Sequence, residues 1–164
     1  MMSLFKKNKT VEILAPMSGK IIPLEEVGDN IFATKGLGDG IAIEITDGKV
    51  IAPFDGEITS TYKSKHCVVI RSEEGLELLI HVGLETIKLQ KEGFVQRVVL
   101  MERVKKGDVI LEADLDILKE KEKSIISPIV ILNMGKVESI EKAEGIAEKG
   151  VTNIMTITMK KGNY

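Results

Sequence analysis

Apolar residues along this chain come in short runs, mostly β-branched, and several alternate with polar neighbours. "VEILAP", "GKIIPL", "IAIEI", "KVIAP", "GEITST", "HCVVIRS", "LELLIHV", "DVILEADL", "IVILN" and "NIMTITMK" are separated by glycine turns such as "MSGK", "GDG", "FDGE", "EEGL" and "KKGD". Many short strands closed by such turns predict an all-β fold, an antiparallel β-sandwich or barrel with a few short helical turns. The helical exceptions are "LDILKEKEKS", one or two turns with Asp114 as N-cap, and "LETIKLQ", an irregular or 3₁₀ piece. A weak echo also runs through the chain. Ala15-Pro16-x-x-Gly19-x-Ile21 recurs as Ala52-Pro53-x-x-Gly56-x-Ile58, compatible with a barrel built from two similar halves.

Composition narrows the function classes. The 164 residues suffice for one domain with a real core, expected over 11–164 behind a flexible tail over 1–10. Aromatics make up 4% with no Trp, and net charge is -2 with mixed signs, so a nucleic-acid binder is not expected. One cysteine, Cys67, forms no internal disulfide, which fits a reducing, cytoplasmic setting. No apolar run reaches the ~20 residues of a membrane span. "MMSLFKKNKT" lacks the apolar region of a secretory signal.

The candidate chemistry lies in the only two histidines, His66 and His81, on successive strand-like runs. If Glu73-Glu74 forms a two-residue loop, Ser72 faces Gly75, Ile70 faces Glu77, and His66 faces His81. Directly opposed Cβ atoms sit roughly 4.5–5.5 Å apart, so the rings would touch. Alternation in that register sends Cys67, Val69, Leu78, Ile80 and Val82 to the opposite face, away from the imidazoles.

Such a pair admits three uses. Each ring can simply hydrogen-bond within the fold. Two imidazoles supply half of a zinc shell, but a third ligand is wanting if Cys67 points away, and no H-E-x-x-H spacing supports a zinc hydrolase. Or one imidazole nitrogen attacks phosphorus while the other ring donates to the phosphoryl oxygens, which needs only two close rings and apolar surroundings.

The blocks "GDGIAI", "APFDGEI", "KHCVVIRSEEGLELLIHVGLETIKLQKEGF" and "VKKGDVIL", in this order, resemble the glucose-type IIA component of the bacterial phosphoenolpyruvate-dependent sugar phosphotransferase system. The resemblance runs over nearly the whole chain from about residue 11. It implies an antiparallel β-sandwich or barrel with a shallow active-site depression, His81 as the phosphorylated nucleophile and His66 as its phosphoryl-stabilising partner. It further implies Ser64 as the orienter of His66 and a backbone contact near Gly83 for His81. Asp39 and Glu85 would border the site, with Ile41, Ile43, Tyr62 and Leu79 as an apolar docking ring. The partners implied are the histidine-containing phosphocarrier protein upstream and a IIB domain of a membrane sugar permease downstream, with no cofactor and no intrinsic metal. The alternative is a regulatory module that holds target proteins on the same face and is switched by His81 phosphorylation. That module would bind zinc between molecules at His66 and His81. Departures from the family pattern are Cys67 where alanine is common, Glu85 for aspartate and Ser64 for threonine.

Overall fold

The computed structural model describes residues 8–162. The expected tail over 1–10 therefore falls mostly outside the described residues, and Thr10 already opens the first strand. In chain order the strands are β1 (Thr10–Leu14), β2 (Gly19–Pro23), β3 (Gly40–Ile45), β4 (Lys49–Ile51), β5 (Gly56–Thr61), β6 (Cys67–Ser72) and β7 (Glu77–His81). They continue as β8 (Phe94–Gln96), β9 (Arg103–Val104), β10 (Val109–Ala113), β11 (Ile126–Ile131), β12 (Val137–Lys142), β13 (Ile146–Ala147) and β14 (Asn153–Met159). Two short helices, α1 (Asn30–Ala33) and α2 (Leu115–Glu120), join three 3₁₀ turns at Leu24–Glu26, Thr86–Leu89 and Met134–Lys136. The all-β, antiparallel expectation holds.

Each helix starts where an aspartate caps it. Asp114 accepts from the amides of Asp116 and Ile117, and Asp29 accepts from those of Ile31 and Phe32. The first was expected from sequence. The second, a four-residue helix, is too short to show a 3.6-residue period. β8, β9 and β13 were also missed, being two or three residues long, as was β12, whose mostly exposed "VESIEK" has little apolar alternation to read.

One eight-stranded sheet, ordered β13-β2-β3-β11-β7-β6-β5-β9, is accompanied by two three-stranded sheets, β1-β14-β12 and β4-β10-β8. The main core includes Ile41, Ile43, Ile45, Val68, Ile70, Leu78 and Ile80 of the large sheet with Ile13, Val50, Ile110 and Ile157 of the small ones. Each such side chain contributes about 1.5–3 kcal/mol by leaving water. The other face of the large sheet carries a smaller cluster. There Ala42, Cys67, Val69, Leu79 and Val130 are covered by Leu24, Val27 and Phe32 from the segment between β2 and β3.

The sequence echo corresponds to a repeat in the backbone. Gly19 pairs with Ile45 and Ala147 as Gly56 pairs with Ser72 and Val104. The Ala15 amide donates to Thr152 O and its carbonyl accepts from the Gly150 amide, at 2.8 and 3.0 Å; Ala52 makes the same two bonds with Asp108 and Gly107, at 2.8 and 2.9 Å. The two turns also meet, Leu14 N–H donating to Pro53 O and Ile51 N–H to Pro16 O. The halves join at β11 and β7.

Candidate functional site

The hairpin β6–β7 carries the site, and its register differs from the expected one by a residue. Cys67 pairs with His81, Val69 with Leu79 and Arg71 with Glu77. The loop has three residues rather than two: Gly75 takes φ +96, its amide donates to Ser72 O, and Ser72 N–H donates to Leu76 O. A turn closed by a left-handed glycine adds one residue to the count and flips every facing assignment. Val68, Ile70, Leu78 and Ile80 enter the main core, while Cys67, Val69, Leu79 and His81 share the other face. Cys67 thus points toward the histidine pair, not away from it.

The rings still meet, by another route. His66 precedes β6 and follows Lys65, which has φ +57, so strand alternation does not extend to it. Its carbonyl accepts from Val82 N–H at 2.8 Å, and its ring packs edge-on against that of His81, centroids 4.6 Å apart and planes at 81°. Ser64 Oγ lies 2.5 Å from His66 Nδ1, and Cys67 Sγ lies 3.5 Å from Nε2. His81 Nδ1–H donates to the carbonyl of Gly83 at 2.8 Å, leaving Nε2 without a protein partner among the described residues. Gly83 has φ +75, and a Cβ there would meet Ser124 O at 2.6 Å and Thr86 Cγ2 at 2.7 Å, so no other residue type fits.

The pair opens onto a cavity of about 390 Å³ whose lining includes Asp29, Phe32, Cys67, Leu79 and Glu85. Phe32 packs edge-on against His81, ring centroids 5.1 Å apart. Ile31, Leu37, Tyr62 and Ile87 are exposed on the rim. Of the expected docking residues, Tyr62, Leu79 and Glu85 line this cavity, whereas Ile41, Ile43 and Asp39 do not. Ile41 and Ile43 alternate with Ala42 and point into the main core, so they cannot form a docking ring. Asp39 is held by Lys142 Nζ at 2.7 Å and Lys35 Nζ at 3.6 Å. In place of Asp39, Asp29 reaches the cavity beside Glu85; its "GDN" leads into α1 as "GDG" leads into β3.

Burial pulls His66 down to about 4, helped by the neighbouring His81. Burial also lowers His81, against the opposing effects of its bond to Gly83 and of Asp29. Both rings are therefore neutral at pH 7, and His81 offers a free lone pair at Nε2. Burial pushes the Cys67 thiol up to about 12, so it is a poor nucleophile. The ligand atoms of His66, Cys67 and His81 lie within 4.8 Å of one another, the residue types of a zinc site. A tetrahedral ion with bonds of about 2.0–2.3 Å needs them closer, and the thiol would first have to lose its proton.

Two neutral imidazoles, one with an open nitrogen, in a pocket that faces outward through apolar side chains can take up a group from one protein and give it to another. The model of the phosphoenolpyruvate-dependent sugar phosphotransferase system, EIIA 1, matches residues 11–137. The chain belongs to that family. It is 46% identical over 165 residues to the PTS system glucose-specific EIIA component of Bacillus cereus, covering 96% of this chain and 100% of the relative. A PTS system glucose-specific EIICBA component of Staphylococcus saprophyticus is 44% identical over 124 residues, 76% of this chain but 18% of that one. Among solved structures, the glucose permease IIA from Mycoplasma capricolum superposes with a TM-score of 0.84 at 34% identity, over 91% of this chain and 96% of that one. This IIA chain is a phosphoryl carrier of the sugar phosphotransferase system, a phosphotransferase component that works through a phosphohistidine. The regulatory-module alternative is not favoured by these relatives. Among the described residues no helix is long and apolar enough to cross a membrane.

Proposed function

We propose that His81 is the phosphoryl acceptor and His66 its stabiliser, in a cytoplasmic IIA domain spanning 11–164. It would take its group from the histidine-containing phosphocarrier protein and pass it to the IIB domain of a permease for glucose or a similar sugar. The observation that carries this reading is the asymmetry between the rings. His81 has Nδ1–H committed to Gly83 O and Nε2 open, with the His66 ring 4.6 Å away.

In the forward step, the N–P bond of the donor phosphohistidine breaks as a new one forms at His81 Nε2. Little covalent chemistry is asked of the protein beyond alignment and charge stabilisation. Gly83 O supports the positive charge that the ring takes on as Nε2 bonds phosphorus. When Ser64 O–H donates to His66 Nδ1, the His66 proton rests on Nε2, aimed where the phosphoryl oxygens gather charge. That N–H otherwise faces the weak acceptor Cys67 Sγ, which is readily exchanged for an anionic oxygen. The apolar rim of Ile31, Leu37, Tyr62 and Ile87 suits docking of a partner that shuts out water. Asp29 and Glu85 beside it would attract basic partners and speed encounter.

Phosphoenolpyruvate with the two upstream proteins should add one acid-labile phosphoryl group to the wild-type chain and none to His81→Ala, read by intact mass. Equal labelling of both would move the acceptor elsewhere.

A further inference from the structure

We infer that Ser127 is a positioning residue for phosphoryl acceptance: its buried hydroxyl fixes the Gly83 peptide that holds the His81 ring. The inference rests on His81 as the acceptor. Ladder pairing between β11 and β7 ends at Ile129 with Ile80, and the next residue on β11 is Pro128, which has no N–H to donate. At Gly83 a side chain takes over, before Leu84 and Ser124 bridge once more. Gly83 N–H donates to Ser127 Oγ at 3.0 Å, and the Ser127 hydroxyl donates onward to Ile125 O at 3.1 Å. Ser127 is fully buried, so no water can replace it there without opening the sheet.

Both peptide planes beside Gly83 are tied down as a result. The 82–83 plane is held by Ser127 on its N–H and by Thr86 Oγ1–H on its carbonyl, at 2.6 Å. The 83–84 plane is held by Leu84 N–H on Ser124 O at 3.4 Å, and its carbonyl receives His81 Nδ1–H. Glycine has no side chain to limit its own rotation, so its carbonyl direction depends on such external bonds. Without the Ser127 acceptor, the 82–83 plane keeps only the Thr86 bond at its carbonyl and can tilt about it, the Gly83 carbonyl drifts, and the imidazole is held less firmly in the form that leaves Nε2 open.

The test uses the full chain, with ¹⁵N spectra of the imidazoles at pH 7.5 and the rate of phosphorylation by the phosphorylated phosphocarrier protein. Wild type should show His81 neutral with its proton on Nδ1. Ser127→Ala should show a mixture of the two neutral forms, a changed pH profile of acceptance, and a rate lowered by about tenfold or more, as misplacement of a reacting group costs. Ser127→Cys keeps the volume but offers a weaker acceptor, and should fall between the two. A folded alanine variant with wild-type ring signals overturns the inference. So does a slowed variant whose ring signals are unmoved, or failure of both variants to fold, which would make the residue structural. The ring signals are read on unphosphorylated protein, so they stand even if His81→Ala is still labelled; that result would sink only the acceptor assignment.

Discussion

The two halves of the large sheet share one backbone plan and differ in what they put on it. Val82 N–H donates to His66 O at 2.8 Å on one side, and Ile131 N–H donates to Asp39 O at 2.9 Å on the other. After His66 come Cys67 and its cross-strand partner His81; after Asp39 come Gly40 and its partner Val130. At Gly40 an added Cβ would lie 2.0 Å from Ile129 O, so that half leaves no room for a side chain where the other has the thiol. One half keeps neutral rings around an open cavity, and the other closes the same place with a lysine-bound carboxylate and aliphatic packing. The repeated frame supplies positions. The chemistry comes from which side chains are set there.

The comparison is tested hardest by altering the matched pair His66 and Asp39. His66→Gln retains an N–H donor but not the ring, so His81 should still be phosphorylated while onward transfer falls by about 10²–10³, the cost of one oriented donor. Asp39→Asn should leave transfer unchanged and lower stability by about 1 kcal/mol or less, since its ion pairs are partly exposed. Transfer rates from single-turnover assays and urea midpoints read both. A transfer defect in Asp39→Asn as deep as that in His66→Gln would break the contrast between the halves.

How far this was legible in the sequence depends on the residue. The strand runs and the two histidines stand out because β-branched alternation is strong there and His occurs only twice. The facing register did not, because "SEEGL" allows a two- or a three-residue loop and only the left-handed Gly75 decides. Ile41 and Ile43 could have been assigned to the core from the alternation around Ala42; treating them as a surface ring ignored that period. Asp29 and Asp39 both follow a glycine in near-identical contexts, "GDN" and "GDG", and nothing local distinguishes the one at the cavity from the one held by Lys142. Phe32 reaches His81 only through the fold of the segment between β2 and β3, which has no periodic signature.

A smaller effect separates the halves by pH. His66 and His81 are both held below the ordinary 6.5, His66 at about 4, so the unfolded chain binds more protons than the folded one in the window between those values. Stability should therefore be full above about pH 6.5 and decline as pH falls toward about 4. On the other half, Lys142 and the Gly40 amide hold Asp39 below its usual value despite its burial, so its contribution is lost only at still lower pH. Urea midpoints at pH 7.5, 5.5 and 4.5 should drop over that window in wild type and drop less in His66→Gln. An equal decline in both proteins would place the titrating group elsewhere.

The smallest effect is expected at Cys67, the residue that most distinguishes the site from its glycine-bearing counterpart. Its thiol sits at the ring edge of His66, yet burial holds it protonated, with a value of about 12, so it supplies no negative charge to the phosphoryl group at pH 7. As an acceptor from His66 Nε2–H at 3.5 Å it is weak, and Ser64 still sets that ring through Nδ1. Cys67→Ala should then change acceptance and transfer by no more than about threefold, the value of one weak hydrogen bond. Truncating one buried sulfur should cost about 1 kcal/mol of stability. The native thiol should react slowly with iodoacetamide until the protein is unfolded. Purified protein analysed for metals distinguishes a bystander thiol from a ligand. One tightly held zinc per chain, lost in Cys67→Ala, would mean that His66, Cys67 and His81 close on an ion, and that the open Nε2 of His81 is filled before any phosphoryl group arrives.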